Sequence, residues 1–120
     1  MDSNEPTCEV VVTAPDAGWL VALSRILIED SLCAGSHTIA EIRSVYRWQG
    51  EIVDRPEGRL AVHTRCSLVP EITALVVERH PYQVPCVVAW PISDGNPAYL
   101  AWIISETRDP RPKATDSRTV

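Results

Sequence analysis

The longest regular pattern of apolar and polar positions runs over residues 39–66. From residue 40 to residue 48 every second side chain shares a side, which is the period of a β-strand. Gln49-Gly50 can supply the positive φ of a tight hairpin turn, and the alternation resumes over residues 51–53 and 59–66. About 14 residues at roughly 3.3 Å each span roughly 45 Å, more than a chain of this length encloses in one compact body. The pattern therefore predicts a hairpin arm that another subunit has to cover.

The flanking patterns complete a set of short elements. Apolar runs predict buried strands over residues 9–13 and 86–90, and a helical apolar period predicts helices over residues 16–32, 67–79 and 97–107. The order strand, helix, strand, strand, helix, strand and terminal helix is that of an α+β, ferredoxin-like βαββαβ fold. With right-handed crossovers, the strands of that sheet lie in the order 4-1-3-2.

The pattern divides the chain into one domain and two polar ends. Residues 8–107 carry the predicted elements and form the domain. Residues 1–7 are polar, so we expect them to be disordered. Residues 108–120 are charged, contain proline and lack periodicity, so we expect a flexible, solvated tail.

Composition and charge narrow the classes of partner. The 120 residues are 45% hydrophobic and 22% charged, as in ordinary soluble domains. The net charge is -5 and the 11 Lys and Arg residues form no basic cluster, which argues against a nucleic acid or an anionic membrane as partner. No apolar run approaches the length of a membrane span, which argues against a membrane protein.

The cysteines and the first residues suggest a compartment. Cys8, Cys33, Cys66 and Cys86 include no CxxC pair, so we expect free thiols in a reducing environment. The first six residues have neither the basic start nor the apolar core of a signal peptide. Together these features predict a cytoplasmic protein.

Four segments of the chain read VTAP at 12–15, RSVYRWQG at 43–50, HPYQVP at 80–85 and PISDGNPAYLAW at 91–102. Together they resemble the signature blocks of the CutA divalent-cation tolerance family, and the resemblance runs in order from about residue 9 to residue 107. It implies a ferredoxin-like subunit in a tight homotrimer whose long hairpins pair with neighbouring subunits. It also implies a likeness to trimeric PII-type signalling proteins and an association with tolerance of copper or other divalent metals.

The family's proposed copper site is only partly present in this chain. In members with that site, a Cys precedes Thr-Ala-Pro and two His precede Pro-Tyr, whereas this chain has Val12 and Arg79-His80. The predicted topology lets His80 and Cys86 approach one another, and imidazole and thiolate suit copper and zinc. His80 and Cys86 are therefore the candidate ligands for copper or another divalent metal. The alternatives are a hydrogen-bonding loop histidine and a small buried hydrophobe.

Aromatic and polar residues at the arm end of the sheet predict a ligand cleft between subunits. Aromatic side chains at the tip of the arm would anchor a neighbouring subunit. The predicted cleft residues are Thr13, Trp48, His80 and Tyr82. The predicted trimer-interface residues are Tyr46, Trp48 and His63.

The chain lacks the common catalytic signatures. It contains no GxSxG, Walker loop or HExxH, so we do not expect an enzyme. We expect a trimeric cytoplasmic protein of divalent-cation tolerance that binds a metal or a small ligand at clefts between subunits. The alternative is a ligandless structural or adaptor trimer, or a PII-like signalling trimer, that presents surfaces to other proteins.

Overall fold

The computed structural model of the chain describes residues 5–112, which form a mixed α+β domain with four strands and three helices. The strands are β1 (Thr7–Ala14), β2 (Gly35–Trp48), β3 (Glu51–Arg65) and β4 (Val87–Pro91). The helices are α1 (Ala17–Glu29), α2 (Val69–Arg79) and α3 (Pro97–Ser105), with a short 3-10 turn at Cys66–Leu68. None of the helices in this range is long and apolar enough to cross a membrane.

The four strands form one antiparallel sheet in the order β2-β3-β1-β4, which is the predicted order read from the other edge. The alternation of side chains sends one set of β1 and β3 residues into a core with α1 and α2. That core includes Val10, Val12, Leu60, Val62, Leu20, Leu27, Ile72 and Val76. The neighbouring positions of the same strands face α3, because Glu9 and Tyr99 both contact His63.

The predicted hairpin is present and its turn has the expected chemistry. Gln49 and Gly50 have φ of 50° and 83°, so the two residues between β2 and β3 supply the positive φ of a tight turn. The ladder of β2 and β3 shifts register between Ile39 and Ile42, where two β2 residues lie opposite a single β3 residue. β1 pairs with β3 only from Gly58 onward. Residues 42–57 are therefore a two-stranded arm.

Gly58 marks the place where the arm leaves the body. A Cβ at this position would lie 3.0 Å from Ala17 Cα and 3.0 Å from Leu20 Cδ1. Only a residue without a side chain lets β3 approach α1 this closely. The contact fixes the point from which the hairpin extends beyond the helices.

α1 and α3 begin and α2 ends at their predicted signals, whereas α1 and α3 end earlier than predicted, at Glu29 and Ser105. The Asp16 side chain accepts a hydrogen bond from the Gly18 N–H at 3.0 Å and caps α1, and Asn96 caps α3 in the same way. α2 gives way to extended backbone at His80, since the proline that follows disfavours a helical conformation. The loop that carries the candidate site residues therefore starts at a defined position.

Both chain ends are more ordered than expected within the described range. Thr7 begins β1 and is 6% exposed, and the Glu5 carboxylate pairs with Arg65 at 3.1 Å. Arg108 pairs with Glu71 at 2.8 Å, and Arg111 pairs with Asp30. Buried and paired charges hold these segments where composition alone suggested solvent. The rest of the predicted disordered ends, residues 1–4 and 113–120, lies outside the described residues.

The prediction of four free thiols is wrong, because Cys8 and Cys66 form a disulfide. Cys8 lies in β1 and Cys66 follows β3 directly, so antiparallel pairing brings their Cα atoms to 5.1 Å despite 58 residues of separation. Cys33 is a buried free thiol whose pKa burial raises to about 12, and Cys86 is exposed. Disulfides persist in oxidising environments, so the thiols no longer support a cytoplasmic location.

Candidate functional site

His80 is a buried residue whose two ring nitrogens are both occupied. Its Nε2 lies 2.7 Å from the Thr13 carbonyl oxygen, and its Nδ1 lies 2.9 Å from the Tyr82 backbone nitrogen. A carbonyl only accepts and a backbone N–H only donates, so Nε2 carries the proton and Nδ1 accepts. His80 therefore ties the loop after α2 to the end of β1, which brings the predicted cleft residues Thr13, His80 and Tyr82 together.

In this structure His80 offers no free nitrogen lone pair to the predicted metal site. A neutral imidazole binds a metal through its lone pair, and that of His80 Nδ1 accepts the hydrogen bond from Tyr82. Cys86 is an exposed thiol. Among residues 5–112, no group of three His, Cys, Asp or Glu side chains is placed to hold a metal ion. The arrangement of His80 matches the alternative interpretation, a hydrogen-bonding loop histidine.

The arm and the loop after α2 enclose a groove of about 320 Å³, which we call the arm groove. Tyr46 and Trp48 point to the same side of the arm because they are two residues apart on β2. Tyr82 closes the opposite side from the loop. The arm groove is lined by Tyr46, Trp48, Val53, Arg55, Pro81, Tyr82, Gln83 and Val84. Thus three of the predicted aromatic residues share one groove, which Thr13, His80 and Cys86 do not line.

Two charged residues that the sequence analysis did not single out organise the arm groove. The Tyr82 hydroxyl donates to Glu57 Oε2 at 2.7 Å, and Glu57 is only 4% exposed. Burial and the Glu57 carboxylate raise the pKa of Tyr82, so its hydroxyl stays protonated. The Arg55 guanidinium carbon lies 5.5 Å from the centre of the Tyr82 ring, within the range of a cation–π interaction.

Strand pairing explains how these charges reach the arm groove. Tyr46 pairs with Val53 and Ser44 pairs with Arg55, so the β3 residues share the groove side of the arm with Tyr46. The Tyr46 hydroxyl raises the pKa of Arg55, which therefore keeps its charge. The alternation predicted from the sequence ends at residue 53 because Pro56 follows. Continued to residue 57, it would place Arg55 on the same side of the arm as Tyr46.

His63, predicted at the trimer interface, is partnered within the chain. Its Nε2 lies 2.9 Å from Glu9 Oε2, and its Nδ1 contacts the Tyr99 hydroxyl of α3. Burial and the Glu9 charge raise the pKa of Tyr99, which keeps its hydroxyl as a donor to His63. These contacts attach α3 to the open face of the sheet. A second cavity of about 440 Å³ adjoins them and is lined in part by Trp90 and Asp94.

Comparison with known proteins agrees with this architecture. Residues 8–106 match a family model described as CutA1 divalent ion tolerance protein. The chain belongs to the CutA1 family. The match covers almost the same residues as the four sequence blocks, so the family resemblance stated from those blocks is confirmed.

Individual CutA relatives differ in length. The divalent-cation tolerance protein CutA of Thermus thermophilus is 37% identical over 98 residues, which are 82% of this chain and 95% of that protein. Protein CutA of Mus musculus is 38% identical over 92 residues, which are 77% of this chain and 52% of the mouse protein. The chain thus spans about half the length of the mouse relative and nearly all of the bacterial one.

Solved CutA structures share the fold described above. The crystal structure of CutA1 from Oryza sativa superposes with a TM-score of 0.86 at 35% identity, covering 91% of this chain and all of that chain. A structure from Archaeoglobus fulgidus, described as a periplasmic divalent cation tolerance protein, superposes with a TM-score of 0.80 at 29% identity, covering 83% and 97% of the two chains. Members of the family thus keep the fold at about 30% identity.

Proposed function

We propose that the protein acts in divalent-cation tolerance as a homotrimer and that its arm groove binds a small ligand at a cleft between subunits. The observation that carries the proposal is the position of the groove, which lies between the loop after α2 and an arm that extends beyond its own domain. Any subunit that covers the arm then also borders the groove. The role in divalent-cation tolerance is proposed because the chain belongs to the CutA1 divalent ion tolerance family.

The arm supports an oligomer on physical grounds. Within residues 5–112, no third strand pairs with residues 42–57, and a hairpin of two strands is marginally stable in water by itself. Val45 and Ile52, on the side of the arm away from the groove, are 62% and 69% exposed. The radius of gyration is 15.7 Å, against roughly 13 Å for a compact domain of about 100 residues. A partner that paired with the arm would satisfy its edges and bury these side chains.

A trimer is the assembly that the resemblance to the CutA family implies. Further apolar area is available to it, because Val88 and Trp90 of β4 and Trp102 of α3 are each 40% exposed or more. Exposed apolar area is typical of an interaction surface where it forms a patch.

The volume and the lining residues of the arm groove favour a small organic ligand over a metal ion. Its volume lies at the lower end of ordinary small-molecule pockets, which run from about 300 Å³ upward. Its lining is mainly aromatic and aliphatic, whereas metal ions need converging His, Cys or carboxylate ligands. A ligandless adaptor trimer is the alternative, and a failure of any probe to bind would favour it.

The mass of the protein in solution, measured across a range of concentrations, tests the assembly. We expect about three times the 13.3 kDa of the chain. Trp48→Ala should weaken the free energy of assembly by on the order of 2 kcal/mol per subunit, the effect of removing a buried aromatic anchor. The variant should therefore dissociate at higher protein concentrations than the wild type. Val21→Ala, which removes exposed apolar atoms from α1 instead, is the control and should leave the mass unchanged. A monomeric wild type at all concentrations would refute the proposal.

A further inference from the structure

Arg55 is the charged side chain among the residues that line the arm groove. Its guanidinium carbon lies 5.5 Å from the centre of the Tyr82 ring. Tyr82 thus holds a permanent cation at the wall of the groove. An Arg over an aromatic ring keeps its N–H donors available at the edge of the guanidinium, since the ring uses its face.

The carboxylates near the groove do not neutralise Arg55 by direct pairing. Glu57, the nearest candidate on the same side of β3, is buried and accepts the hydrogen bond of the Tyr82 hydroxyl. Within residues 5–112, no Asp or Glu oxygen forms an ion pair with Arg55. By contrast, Arg43 on the opposite side of the same arm is paired with Asp54.

We propose that the arm groove takes a small planar organic anion, an aromatic carboxylate in chemical class, with Arg55 as its counter-charge and the rings of Trp48 and Tyr82 as its stacking surfaces. This rests on the proposed function, which makes the groove a ligand site. The planar fork of Arg matches the two oxygens of a carboxylate. The aromatic lining suits a flat apolar ring, and about 320 Å³ holds one ring and its acidic group.

Isothermal titration calorimetry on the full chain tests the charge preference with benzoate as the probe and benzamide as its neutral match in size. We expect benzoate to bind at least about tenfold more tightly, as is typical of a hydrogen bond between two charged groups. Arg55→Gln should remove most of this difference. Arg55→Lys should retain part of it, because lysine keeps the charge and loses the fork.

Arg47→Gln is the matched control. It removes the same charge from the same arm, but Arg47 pairs with Ile52 on the side of the arm away from the groove. We expect its effect on benzoate affinity to stay below about twofold, since screened surface charges act weakly at a distance. The solution mass and the thermal midpoint of each variant show whether its assembly and fold are intact.

The outcomes separate this inference from the proposed function. Equal affinities for benzoate and benzamide would overturn the anion and leave the small-ligand groove in place. Equal losses of benzoate affinity in Arg55→Gln and Arg47→Gln would also overturn it, because they would show that any positive charge on the arm has the same effect. Failure of both probes to bind an intact trimer would overturn the ligand groove itself.

Discussion

The two halves of the β2–β3 ladder follow the same alternation but have different neighbours. In the body half, Leu60 and Val62 are 0% and 1% exposed, because β1 continues the sheet and α1 and α2 cover it. In the arm half, Ile52 and Val45 are 69% and 62% exposed. Alternation therefore identifies a strand without saying what covers it. The body half is covered within the chain, whereas the described residues leave the apolar side chains of the arm half exposed.

Removing the disulfide should have the largest effect on stability, and this effect should be confined to the body of the domain. The Cys8–Cys66 bond lies at the end of the body and closes a loop of 58 residues, so replacing both residues by serine should reduce the free energy of unfolding by roughly 4 kcal/mol. Denaturant unfolding of the double variant measures this loss. The dissociation of the assembly at the arm should be unchanged. An equal weakening of the assembly would show that the two halves are coupled.

Truncating one apolar side chain in each half sharpens the comparison further. Leu60→Ala leaves a cavity in the body and should cost about 3 kcal/mol of unfolding free energy at any protein concentration. Ile52→Ala should instead act through assembly, with a thermal midpoint that depends on protein concentration. Midpoints measured at several concentrations distinguish the two. If both variants lost the same amount at every concentration, the arm would be stabilised by its own subunit.

The smallest expected effect tests the junction between arm and loop. Tyr82→Phe removes the hydrogen bond to the buried Glu57 and should cost about 1 to 2 kcal/mol of unfolding free energy.

The same hydrogen bond predicts a dependence of stability on pH. Folding raises the pKa of Tyr82 above its usual 10.0, so the folded chain holds this proton more tightly than the unfolded chain. Its contribution is present below about pH 10 and is lost as the pH rises further. Wild type should therefore lose more stability than Tyr82→Phe between pH 9 and pH 11, as measured by denaturant unfolding, and equal losses would contradict the assignment.

Local signals predicted most of the fold. The turn at Gln49-Gly50, the Asp16 cap and the proline after His80 each act within a few residues, and each lies where expected. The strand order followed from the handedness of the crossovers. These features depend on backbone geometry, which short stretches of sequence encode.

The candidate site was only partly predictable, because its chemistry depends on pairing between distant segments. Of the four predicted cleft residues, Trp48 and Tyr82 line the arm groove and Thr13 and His80 do not. Tyr46, predicted for the trimer interface, lines it too, and Arg55 enters it only through the register across the turn. The partners of His80 come from β1 and from the loop itself, and they occupy the nitrogens that a metal would need. The disulfide likewise depends on the register of β1 and β3, which periodicity does not specify.

Arg65 has a consequence for engineering the protein. Its side chain, 8% exposed, contacts Glu5 and Asp109 together, so the first and last described segments meet at the end of β3 that lies opposite the hairpin turn. A chain shortened to these segments would carry a fluorescent fusion or an immobilisation tag away from the arm. The closeness of Glu5 and Asp109 also allows a circular permutant of the described residues, in which a short linker joins the two segments and the chain is reopened at a surface loop.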